Sequence, residues 1–68
     1  MGKWTRITVN LIPRAVAALD QARAITGLSQ TDVVNRALQA YAFLEKEGSE
    51  GARVLIERNG KITEVRLL

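Results

Sequence analysis

Arg6, Thr8 and Asn10 fall on alternate positions near the start of the chain, and each carries a different hydrogen-bonding group. A guanidinium fork matches O6 and N7 of guanine, a carboxamide matches the edge of adenine, and a threonine meets a base edge or a thymine methyl. The same trio also makes an ordinary polar face for an exposed strand, and alternation alone favours that plainer account. Thr5, Ile7, Val9 and Leu11 occupy the opposite parity. Together the two sets predict a half-buried, β-branched strand over residues 5–11.

Other chemistries are bounded by what the 68 residues contain. There is no Cys and no His, which removes disulfides, thiolate and imidazole metal ligands, and every nucleophile pair that needs a His base. The seven carboxylates do not cluster, and no Gly-rich phosphate loop is present. Glu57 and Glu64 are not opposite each other in the expected hairpin register. Neither an enzyme nor a cofactor is expected. The net charge of +3 and a pI near 10.0 suit an acidic polymer, and the distribution says more. Lys3, Arg6 and Arg14 all precede the first acid, Asp20, while Glu45, Glu47, Glu50, Glu57 and Glu64 come later. No apolar run has transmembrane length, and Met-Gly-Lys-Trp-Thr-Arg leads into alternation, unlike a signal peptide. A soluble cytoplasmic protein without a membrane partner is expected.

The elements that must position the N-terminal trio follow from the rest of the pattern. Pro13 lacks an amide hydrogen and suits a first helical turn, so the strand ends at Ile12-Pro13. Ala15, Val16, Ala18, Leu19, Ala22 and Ile25 make one stripe of an amphipathic helix that Gly27 stops. Ser29 and Asp32 resemble a capping box with Asp in place of Glu. Val33, Val34, Ala37, Leu38, Tyr41 and Leu44 carry a second helix to about Lys46. Gly48-Ser49-Glu50-Gly51 reads as a short flexible linker. Two strands then flank Asn59-Gly60, the preferred two-residue hairpin turn. Pairing Arg58 with Lys61 puts Val54, Ile56, Thr63 and Val65 on one face, and Arg53, Leu55, Glu57, Ile62, Glu64 and Arg66 on the other.

A lone strand cannot satisfy its own backbone donors and acceptors. The same strand from a second chain, antiparallel about a two-fold axis, would supply them, and a small core of this size gains from a partner. Such a two-stranded ribbon fits the major groove of B-DNA. Arg6-Ile7-Thr8-Val9-Asn10-Leu11, Pro13, the first helix, and then Gly27-Leu28-Ser29-Gln30-Thr31-Asp32-Val33-Val34-Asn35-Arg36-Ala37-Leu38 resemble the ribbon-helix-helix family of bacterial, phage and plasmid repressors. The resemblance covers residues 4 to about 46 without a gap.

The resemblance implies an α+β fold: a homodimer with a shared antiparallel ribbon and two helices per chain, here extended by a C-terminal β-hairpin. Residues 1–47 would form the DNA-binding and dimerisation domain, and residues 48–68 the linker and hairpin. By the same resemblance Arg6, Thr8 and Asn10 read bases of double-stranded DNA. Ser29, Gln30 and Thr31 hold a phosphate, a role that the free amides and positive dipole of a helix start also favour. Ile7, Val9 and Leu11 build the dimer core, with Val34 and Leu38 from the second helix. Ile12 departs from the pattern, standing where a polar N-cap is expected. Trp4 could lie against the sugar-phosphate edge, although the rim of the core is the commoner place for it. Tyr41 and Phe43 read as helix packing, and Arg14, Arg23 and Arg36 equally as phosphate contacts or as solvated helix faces.

The implied function is that of a small repressor or autoregulator, a homodimer that could associate further on DNA. Two alternatives stand beside it. Residues 5–11 could join the hairpin within one chain, giving a three-stranded protein-interaction module. Or the dimer could be an antitoxin whose residues 52–68 hold a protein partner.

Overall fold

The computed structural model describes residues 3–66; the outermost ends of the two expected domains, residues 1–2 and 67–68, lie outside it. The protein is a small α+β fold with two helices, α1 (Pro13–Thr26) and α2 (Gln30–Ser49). They precede a two-stranded antiparallel sheet of β1 (Val54–Arg58) and β2 (Lys61–Val65). Two compact units, Met1–Val33 and Val34–Leu68, divide the chain at a point inside α2.

In the first unit, α1 begins with Pro13 at its first turn and ends where Gly27, at φ 74°, donates its amide to the Arg23 carbonyl at 2.8 Å. Thr26 reinforces that end: its hydroxyl donates to the Ala22 carbonyl at 2.7 Å and accepts the Leu28 amide at 3.2 Å. Ala15, Leu19 and Ala22, spaced by four and three, are the half-buried line of the stripe, with Leu28 and Val33 half-buried in the same unit. Val16 and Ile25 belong to the expected stripe yet stay exposed.

Residues 3–12 carry no assigned secondary structure, so the strand expected over residues 5–11 is not formed in the single chain. A strand is held by its ladder, and the ladder needs a second backbone. Among the described residues the sheet comprises β1 and β2 only, so the three-stranded intrachain alternative is not adopted.

In the second unit, α2 runs past the expected end near Lys46 as far as Ser49, and Gly48-Ser49 is therefore helix and not linker. Four contacts fix the longer end. Lys46 Nζ lies 3.0 Å from Glu50 Oε2, one turn on. The Ser49 hydroxyl donates to the Lys46 carbonyl at 2.7 Å. Ala52 N–H then donates to Glu47 at 3.0 Å and Gly51 N–H to Gly48 at 3.1 Å, the paired bonds of a Schellman motif around a left-handed Gly51 at φ 95°. The two glycines thus have opposite roles, and a Cβ at either meets nothing within 4 Å. Gly51→Ala should lower stability by about 1–2 kcal/mol through backbone strain alone. Gly48→Ala should raise it by about 1 kcal/mol through helix propensity. Urea titrations of both variants check the signs.

The hairpin has the expected register: Val54 faces Val65, Ile56 faces Thr63 and Arg58 faces Lys61. Asn59 and Gly60 both take positive φ, 51° and 81°, as the type I′ turn demands. Glu57 pairs with Ile62 and Glu64 with Leu55, so the two carboxylates do not face each other. Val54 and Val65, the pair at the open end, are half-buried, as is Leu44 of α2. Glu45 and Gly48 line one shallow depression with residues 52–54 and 64–66. Tyr41 has its phenol held above the ordinary value of 10.0, first by a hydrogen bond to Glu45 one turn away and then by that carboxylate's charge.

No described residue is fully buried. That includes every large apolar side chain of the expected dimer core.

Candidate nucleic-acid interface

Arg6, Thr8 and Asn10 are exposed, as are Lys3, Trp4 and Arg14 around them. Lys3, Arg6 and Arg14 form no ion pair among the described residues, so their charge is available to an outside anion. Ile7, Val9 and Leu11 remain 69, 63 and 46 % exposed. Both parities of the segment thus face solvent in one chain, and an inner face exists only once something covers it. The segment enters α1 through Ile12, whose backbone is extended (φ −70°, ψ 157°) and whose carbonyl accepts the Ala15 and Val16 amides at 2.9 and 3.1 Å. As its side chain dictates, Ile12 makes no capping hydrogen bond.

The start of α2 is built more fully. The Ser29 hydroxyl accepts the Asp32 amide at 3.1 Å and the Ser29 carbonyl accepts the Val33 amide at 3.0 Å. Ser29 is therefore an N-cap. Only this half of the capping box forms, because the Asp32 side chain is one methylene too short to reach back as a glutamate does. Gln30 opens the helix, and its amide is left without a hydrogen-bond partner among the described residues. Thr31 follows it in the first turn. The Asp32 carboxylate already complements the positive helix end, so an incoming phosphate would share that field with it. Ser29, Gln30 and Thr31 are all exposed.

Val34 and Leu38 of α2 are exposed to 39 and 55 %. Sequence reasoning paired two further side chains, Arg58 and Lys61, but gave them no role; they stand opposite each other beside the hairpin turn. Their signal was present: Arg58-Asn59-Gly60-Lys61 brackets a two-residue turn with two cations.

Among the described residues no His, Cys, Asp and Glu side chains group as a metal site, and no helix is long and apolar enough to cross a membrane. Comparison with known proteins finds no matching protein-family model, no matching curated protein and no matching solved structure.

Proposed function

We propose that the chain acts as a ribbon-helix-helix homodimer that binds double-stranded DNA sequence-specifically, as a small cytoplasmic repressor or autoregulator. The observation that carries this reading is the exposure of Ile7, Val9 and Leu11 on an alternating segment whose other parity is Arg6, Thr8 and Asn10. Pairing with a second copy of the same segment satisfies the backbone and covers the apolar parity in one step. The polar parity of both strands then stands outward, as a ribbon for the major groove.

Magnitudes are compatible with association. Burying a Val, Leu or Ile completely is worth about 1.5–3 kcal/mol. Ile7, Val9, Leu11, Val34 and Leu38 keep between 39 and 69 % of their exposure. Covering what remains on two chains yields on the order of 8–15 kcal/mol, against an association cost of about 4–15 kcal/mol. Ladder hydrogen bonds add to the favourable side.

In this arrangement Arg6, Thr8 and Asn10 supply base recognition, and the Ser29-Gln30-Thr31 turn supplies a sequence-blind grip on phosphate. Selection from random duplexes would yield the preferred site. Salt titration of binding to that site should give a log–log slope near roughly −5, if a dimer neutralises about six phosphates. No enrichment in the selection, or a flat salt response, would overturn DNA binding.

A further inference from the structure

The hairpin sorts its charges by face. Arg58 and Lys61 are cross-strand partners, on the face that also carries Ile56 and Thr63. No acid shares that face. Glu57 and Glu64 sit on the other one, where Glu64 Oε1 lies 3.7 Å from Arg53 Nη1. Arg58 and Lys61 are exposed and form no ion pair among the described residues.

Like charges directly opposite in a ladder are destabilising. Nothing relieves this pair by a slip of register, because the Asn59-Gly60 turn locks it. An anion placed between the two cations turns their repulsion into two attractions. Cross-strand Cβ atoms stand about 4.5–5.5 Å apart, close enough for both side chains to reach one phosphodiester. Arg58, Asn59, Lys61 and Thr63 line one shallow depression with Ile56 and Val65. Four hydrogen-bond donors thus surround the spot, and phosphodiester oxygens only accept.

We propose that this face of the hairpin grips the phosphodiester backbone of DNA without reading bases. The proposal rests on the DNA-binding reading above and adds a second holding site, in the C-terminal unit, that the N-terminal segment does not supply.

The test uses the full chain. Arg58→Gln with Lys61→Gln removes both charges from exposed positions. At one phosphate per hairpin and two per dimer, the salt slope should shrink by about 2, and affinity at 0.15 M salt should fall about 30-fold. The selected site and a scrambled duplex should lose equally. Arg58→Lys with Lys61→Arg should bind as the wild type does. So should Arg53→Gln with Glu64→Gln, which removes the ion pair of the opposite face and leaves the net charge unchanged. Should the wild type bind DNA while the Arg58/Lys61 double variant binds both duplexes equally well, the clamp is refuted and the DNA-binding reading stands. Loss confined to the selected site refutes a sequence-blind grip. A double variant that keeps its duplex affinity but loses affinity for poly-glutamate assigns the face to an acidic protein segment and overturns the proposal. If the wild type binds no duplex, both readings fall together.

Discussion

Leu11→Asp is expected to leave an unfolded monomer, with the helical circular dichroism and the dimer lost together. Leu11 is the least exposed of the three apolar residues in its segment, at 46 %, and it abuts the extended entry to α1 at Ile12. In the shared ribbon it would be covered by the second chain. A carboxylate there must be stripped of water with no cation to meet it, and an isolated buried charge costs far more than one chain of this size has to spare. The wild type, by contrast, should sediment as a dimer at micromolar concentration and melt at a temperature that rises with concentration. Thr8→Asp, on the outward parity, is the control, and it should retain the fold and the dimer. A folded, dimeric Leu11→Asp would show that the parity is inverted. A well-folded wild-type monomer would remove the ribbon altogether.

Asn10→Ala and Gln30→Pro should separate reading from holding. Asn10 presents a carboxamide suited to adenine, and its loss should cost on the order of 1–3 kcal/mol on the selected site and relax the base preference there. Affinity for a scrambled duplex should barely move. Gln30 is the first residue of α2, where proline is well tolerated, and Ser29 before it already serves as N-cap. Gln30→Pro therefore deletes one amide at the helix start and leaves the helix intact. It should weaken selected and scrambled duplexes alike, because a phosphate contact carries no sequence information. Both variants are titrated against both duplexes at one salt concentration. An Asn10→Ala that weakens both equally, with a Gln30→Pro that affects only the selected site, would reverse the two roles.

Local chemistry made much of the fold legible in the sequence. Pro13 opens α1, Gly27 closes it and Ser29 caps α2, because each acts within a few residues of itself. Asn59-Gly60 sets the hairpin register for the same reason: only residues that accept positive φ complete a two-residue turn. Where two local solutions competed, the bonds made at the helix end chose between them. Gly48 and Gly51 both look like stops, and helix propensity argues for the earlier one. The ion pair from Lys46 to Glu50, the Ser49 hydroxyl and the bonds to Glu47 and Gly48 carry the helix through to the later one.

The candidate site divides along the same line. Its residue types and their alternation are written in residues 5–11, and the N-cap of α2 is written in Ser29 itself. The pairing of Arg58 with Lys61 was legible from the Asn59-Gly60 turn, and the register has it. Strand character in residues 5–11 is a different matter, since a ladder needs two backbones and none pairs with this segment among the described residues. The sequence by itself determined which side chains alternate and where the helices and the turn begin. Tertiary structure decided that the sheet of the described residues has two strands and not three. It did so because the joining of a third strand to a hairpin depends on contacts between residues far apart in the chain, which no single stretch of sequence specifies.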